Sequence, residues 1–220
     1  MLFQDRKDAG RQLAAALQGL KGQDCVVLAL PRGGVPVAAV VAERLRAPLD
    51  LLLVRKIGAP RQPELAIGSV IDGGAPIIVR DDKLIQLTGT SAKAFDEICA
   101  LELAEIERRR KFYMGNRKPV PLAGKIAIVI DDGLATGNTM RAALRAARLR
   151  KPHILIMAVP VAPRGIFEDF HGEADQIVCL ATPEPFGAVG YFYQDFDPTT
   201  DVEVIQLMRE HRFEKADTEE

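Results

Sequence analysis

Two adjacent carboxylates, Asp131 and Asp132, stand at the end of the strongest strand signal in the chain, Lys125-Ile-Ala-Ile-Val-Ile130. A loop of small and hydroxyl-bearing residues follows them: Gly133, Leu134, Ala135, Thr136, Gly137, Asn138 and Thr139. The two glycines open backbone angles closed to other residues and let main-chain N–H groups turn inward. With Thr136, Asn138, Thr139 and the start of a helix, those amides form a cradle for a phosphate. The paired acids cannot hold a phosphate themselves, but they suit hydroxyl groups or a metal a few ångströms away. A ligand with vicinal hydroxyls at one end and a phosphate at the other is a ribose 5-phosphate. An ordinary capped turn between strand and helix is the competing reading. It accounts for neither the twin carboxylates at the mouth of a buried strand nor the small-residue loop behind them.

The elements around this loop alternate. Residues 5–20 form an amphipathic pattern carrying Leu13, Leu17 and Leu20 on one side, which predicts a helix. Cys25 to Leu30 is a short continuous apolar run, as expected of a strand covered on both faces; it stops at Pro31-Arg32-Gly33-Gly34, and a helix is expected from Val35 to about Leu45. Leu49 to Val54 is the next buried strand, broken by Arg55-Lys56. Residues 57–63 read as loop from Gly58, Pro60 and Pro63, and 65–71 and 76–79 as strands joined by a turn at Gly73-Gly74. Ser91 to Phe112 is a charged helix whose run Glu105 to Lys111 is expected to be a solvated face with internal ion pairs. Beyond the acid loop come a helix at 140–150, strands at 154–161 and 176–180 with a short helix at 166–170 between them, an aromatic segment at 186–196 and a last helix at 200–211.

This alternation predicts an α/β fold with a mainly parallel sheet flanked by helices, one domain over 1–212 with hood or lid elements at 57–120 and 183–200 and a disordered tail at 213–220. Ligands of such sheets bind beyond the C-terminal ends of the strands. Three interruptions fall there: Pro31–Gly34, Arg55-Lys56 and Asp131–Thr139.

Val129 to Thr139 resembles the signature by which type I phosphoribosyltransferases bind phosphoribosyl pyrophosphate (PRPP): an apolar strand, two acids, then a loop ending in Thr-Gly-x-Thr. The resemblance implies that Asp131 and Asp132 meet the ribose hydroxyls, and lie nearest the metal, while Gly133 to Thr139 bind the 5-phosphate. It places Arg32, Gly33 and Gly34 in the pyrophosphate loop. Arg55 and Lys56 resemble the Arg-Lys pair of the adenine-type enzymes, whose lysine reaches the pyrophosphate. That alignment puts Asp72 near the acid of the reacting centre, with Glu64 as a second candidate and a hairpin turn as the plain alternative for Asp72. Pro185 to Asp195 is similar to the hypoxanthine-guanine enzymes; Phe186 and Asp195 take the base-contacting places, with core packing as the alternative for Phe186, Tyr191 and Phe192. The helical stretch 81–120 departs from compact members of the family.

The activity this implies is Mg²⁺-dependent transfer of a 5-phosphoribosyl group from PRPP to a nitrogen acceptor, such as a nucleobase, with release of pyrophosphate. A non-enzymatic PRPP sensor on the same fold is the alternative, and a homodimer is a family expectation. Other classes find little support. A net charge of −1 gives no electrostatic reason to expect nucleic acid or an anionic membrane. No run of roughly 20 apolar residues is present, and the N-terminus turns polar at Gln4-Asp5-Arg6, unlike a signal peptide. Three scattered cysteines, Cys25, Cys99 and Cys179, argue for a reducing compartment, so a cytoplasmic protein is expected. The chain carries neither glycine-rich nucleotide fingerprint. Its three histidines lack ligand spacing, and Ser69 and Ser91 lie outside a G-x-S-x-G elbow.

Overall fold

The computed structural model describes residues 2–72 and 77–211. Its centre is a five-stranded parallel sheet in the order β2-β1-β6-β7-β8, formed by β1 (Cys25–Ala29), β2 (Leu49–Leu51), β6 (Ile126–Ile130), β7 (Ile154–Val161) and β8 (Gln176–Ala181). Both β1 and β6 are buried along their whole length. Alternate residues of each strand therefore supply two different cores. Val27 and Ala29 with Ile126, Ile128 and Ile130 face a layer that includes α1 (Arg6–Ala16), α2 (Gly34–Leu45) and α6 (Asp201–Glu210). Val26 and Leu28 with Ala127 and Val129 face α5 (Asn138–Leu149) and the 3₁₀ turn Ile166–Phe170.

From β1 the chain crosses through α2 to β2 on one side; from β6 it crosses through α5 to β7 on the other. The crevice between the ends of β1 and β6 is thus the point where the winding reverses, the place such sheets bind ligands. Ala29 pairs with Ile130, and Leu30 donates to the Ile130 carbonyl at 2.9 Å, so Pro31–Gly34 and Asp131-Asp132 leave the sheet side by side.

A second, antiparallel sheet, β3-β4-β5, consists of β3 (Val54–Ala59), β4 (Gln62–Ile71) and β5 (Ile77–Arg80). Two expectations change here. The apolar run 49–54 is not one strand: β2 ends at Leu51, and after Leu52-Leu53 the chain enters the other sheet. Residues 57–63 are not a loop either, because β3 carries on to Ala59 and β4 begins at Gln62. Gly58 permits this, since a Cβ there would lie 2.3 Å from the Pro63 carbonyl oxygen. Short α3 (Asp82–Leu87) and long α4 (Ala92–Met114) cover this sheet. Phe95 of α4 is buried beside Gly68, with Arg80 stacked on its ring at 4.3 Å. The expected turn at Gly73-Gly74 and the expected tail lie outside the described residues.

Residues of the 183–200 segment are joined to the N-terminus. Leu2 and Phe3 donate to the Phe192 carbonyl, Gln194 to that of Phe3 and Asp195 to that of Gln4, all at 2.9–3.0 Å. Among the described residues no helix is long and apolar enough to cross a membrane.

Candidate active site

The glycine turn and the acid pair are in direct contact. A Cβ on Gly33 would fall 2.1 Å from Asp132 Oδ2, and one on Gly34 would fall 2.8 Å from the Ile130 carbonyl and 2.9 Å from Asp131 Cα. Only residues without a side chain let the two loops approach so closely. The amides of Arg32 and Gly33, at the head of α2, accordingly open beside the carboxylates; among the described residues they have no acceptor. Helix α5 starts the same way. Gly137 is its N-cap in the left-handed region (φ +71°), no side chain caps the first turn, and a Cβ there would strike Phe170 at 2.8 Å. The amides of Ala135 through Met140 donate to no acceptor among the described residues, while Ala135, Thr136, Asn138 and Thr139 are exposed. Unpaired amides at a helix N-terminus are an anion site.

Leu134 departs from expectation. Its side chain is buried and its N–H is taken by the Val161 carbonyl at 2.9 Å, so it anchors the loop and offers nothing to a ligand. Gly133 is pressed against Val189 of the hood, 2.6 Å from where its Cβ would lie.

Burial first, and then repulsion from Asp132, pushes the Asp131 carboxyl well above the usual carboxylate range. Burial also raises Asp132, but a hydrogen bond from Arg6 Nε to its Oδ2 at 2.8 Å opposes the rise. Asp132 is therefore the better-stabilised anion of the pair. Arg6 is fixed in turn by the Asp197 carbonyl at 2.8 Å and by the Phe196 ring, 3.8 Å below its guanidinium. Tyr193, buried between Phe3 and Phe196, donates its hydroxyl to the Asp132 carbonyl at 2.6 Å. Sequence reasoning found neither Arg6 nor Tyr193. Nothing in an amphipathic helix start or an aromatic run marks one residue as the partner of an acid far along the chain.

The remaining predicted residues divide. Lys56 is exposed, has no ion-pair partner among the described residues, and lines a cleft of about 530 Å³ that also reaches Arg55, Arg109 of α4 and Thr139. Arg55 lines that cleft but commits its Nε to Glu102 of α4 at 2.6 Å. Arg32 is exposed and makes a long contact, 3.4 Å, with Asp201, which also accepts from the Tyr113 hydroxyl at 2.6 Å. Asp72 is corrected: it is buried and paired with Arg110, which reaches the fully buried Asp50 at 3.5 Å on its other side. A carboxylate already neutralised in the interior holds the second sheet against α4 and does not face a ligand. Glu64 is exposed on β4. Phe186 is half-buried against Phe192, with ring centroids 5.1 Å apart, which is the packing alternative. Asp195 is exposed and accepts from the Asp197 amide, closing a local turn. Neither residue is tied to the acid pair by a contact the structure shows.

Comparison with known proteins follows the same lines. The profile of the phosphoribosyl transferase domain matches residues 3–165. Two proteins of Mycobacterium tuberculosis, from strains CDC 1551 / Oshkosh and ATCC 25618 / H37Rv and each named "putative phosphoribosyl transferase", are 47% identical over 212 residues. That alignment covers 96% of this chain and 47% of theirs, so the chain spans about half the length of these relatives. The crystal structure of the protein TT1426 from Thermus thermophilus superposes with a TM-score of 0.83 at 38% identity, covering 96% of this chain and 99% of that one. With acid pair, glycine turn and amide cradle meeting at the switch point of the sheet, and with these matches, the chain belongs to the phosphoribosyl transferase family, type I.

Proposed function

We propose that the protein binds PRPP across the ends of β1 and β6 and transfers its 5-phosphoribosyl group to a nitrogen acceptor, releasing pyrophosphate. The observation that carries this reading is the seating of Gly33-Gly34 on Asp131-Asp132. On this reading, donors for a leaving pyrophosphate, carboxylates for ribose hydroxyls and the α5 cradle for a phosphate share one mouth.

Each residue then has a physical task. Asp132, oriented by Arg6 and by Tyr193 through its backbone, accepts from a ribose hydroxyl. Its negative charge also favours positive charge developing on the sugar carbon. The amides of 135–140 hold the 5-phosphate, and the amides of Arg32 and Gly33, with the Arg32 and Lys56 cations, face charge growing on the leaving group. The hood built from residues 2–6 and 183–200 excludes water, the competing acceptor.

The protein's donors suit a cation that arrives with its substrate. Among the described residues there is no cluster of three metal-ligating side chains. Mg²⁺ is commonly held through one or two carboxylates plus substrate phosphates and water, and Asp131 and Asp132 are such a pair. When bound there it neutralises charge on the departing pyrophosphate.

The test is calorimetry with PRPP and Mg²⁺, followed by pyrophosphate release over a panel of purines, pyrimidines and other nitrogen acceptors. Wild-type protein should bind; the double variant Asp131→Asn, Asp132→Asn should keep its fold and bind at least about a hundredfold more weakly, roughly 2.7 kcal/mol. Absence of binding by wild type, or unchanged binding by the variant, rejects the reading. Binding without release on any acceptor points instead to a PRPP sensor.

A further inference from the structure

Three consecutive arginines on α4 point to three different places. Arg110 enters the interior between Asp50 and Asp72. Arg108 stays on the surface and grips Glu105 through two bonds, 2.7 and 3.0 Å. Arg109 borders the cleft with Arg55, Lys56, Ile98, Glu102 and Thr139. It also borders an adjoining hollow that adds Pro31, the first residue of the turn leading to Gly33-Gly34. Arg109 thus stands between the head of α2 and the head of α5, where two sets of unpaired amides open.

The charge there is unbalanced. Arg55, Lys56 and Arg109 face a single carboxylate of the cleft wall, Glu102, and Arg55 already holds it. Outside the cleft Arg109 touches Glu105 at 2.7 Å, a half-buried pair one helical turn apart. Arg108 holds the same carboxylate with two bonds, so Glu105 stays paired when Arg109 turns away. A helical pair of this kind near the surface is modest in energy, and a phosphate group that accepts two guanidinium N–H bonds from Arg109 replaces it while Arg108 keeps Glu105 paired. The larger hollow, about 660 Å³ between residues 111–117 and 205–209, shares no residue with the acid pair or with either amide set.

We infer that Arg109 binds the diphosphate of PRPP, so that the helical insertion supplies the pyrophosphate site with a guanidinium that the strand-end motifs do not encode. This rests on the phosphoribosyl reading and extends it to a residue outside every motif quoted above. A planar fork is required, so lysine at this position is only a partial substitute.

Calorimetry with three probes decides it: PRPP with Mg²⁺, pyrophosphate with Mg²⁺, and ribose 5-phosphate. Arg109→Ala should weaken PRPP and pyrophosphate about tenfold or more, roughly 1.4 kcal/mol, and leave ribose 5-phosphate within about twofold. Arg109→Lys should fall between. Arg108→Ala, which shares Glu105 and the same turn of helix, should bind all three as wild type does. Wild-type affinity for PRPP in Arg109→Ala overturns the inference, and so does an equal loss of all three ligands. A wild-type protein that binds none of the probes defeats the phosphoribosyl reading itself, which separates the two failures.

Discussion

Replacing Gly33 by alanine tests the contact on which the site is built. Gly33 has φ −59° and ψ −34°, so alanine accepts its backbone without strain and any effect comes from the added methyl. That methyl would lie 2.1 Å from Asp132 Oδ2 and 2.7 Å from its Cγ. Non-bonded atoms rest at about 3.5 Å, so the carboxylate must retreat by roughly 1 Å or more. Arg6 blocks an easy retreat, because it holds that same oxygen at 2.8 Å. A ribose hydroxyl bond to a charged carboxylate is worth about 1.5–3 kcal/mol, so losing it costs up to on the order of a hundredfold in affinity. Calorimetry with PRPP and Mg²⁺ should show Gly33→Ala binding about a hundredfold more weakly, with a melting temperature only a few degrees lower. Gly19→Ala is the control, since a Cβ there meets nothing within 4 Å. A Gly33→Ala protein that binds PRPP within about twofold of wild type would refute the idea that turn and acid pair form one site.

Arg110→Ala should strand Asp50, a fully buried carboxylate, and destabilise the protein by about 3–5 kcal/mol. At this size that lowers the melting temperature by on the order of 10 °C, and a change under about 2 °C would contradict the structural role given to Arg110 and Asp72. Tyr193→Phe leaves the Asp132 carbonyl without its donor and should cost about 1–3 kcal/mol, read by denaturant titration; unchanged stability would show that the hood does not bear on the acid pair. Burial, and then its hydrogen bond to Asp201, raises the Tyr113 phenol to about 12, above the ordinary value near 10. The folded state therefore keeps this proton longer than the unfolded chain does, and the associated stability is present below about pH 10 and lost as pH rises toward 12. Ultraviolet difference titration should place that phenol near 12 in wild type and lower in Asp201→Asn, and an identical midpoint would dissociate the pair.

The sequence showed what depends on residue type at one place and little of what depends on distant partners. Cys25–Leu30 and Lys125–Ile130 could be read as strands because burial on both faces demands unbroken apolar residues. The acid pair and the loops at 31–34 and 133–139 could be read because carboxylates and glycines at strand ends have few other uses. Leu49 to Val54 misled because the same apolar character serves β2 and the entry to β3 equally well. Asp72 misled because a sequence offset cannot show that Arg110, 38 residues later, neutralises it. Arg109 was hidden in a run of charges read as a solvated face with internal pairs. That reading holds for Arg108 and Arg109 against Glu105 but not for Arg110, which turns inward to Asp50 and Asp72. Which arginine turns toward the cleft is decided by the phase of α4 against the second sheet.

Arg6 bonds to Asp197 across a separation of 191 residues. On the ribosome, Asp132 emerges long before the segment that will roof it. At about 5–20 residues per second the wait lasts roughly 3–13 s. During that time the twin carboxylates stand hydrated, and residues 2–4 lack their backbone partners in 192–195. Closure over Asp132 thus waits on residues 192–197, which with residues 2–6 act as a single clasp.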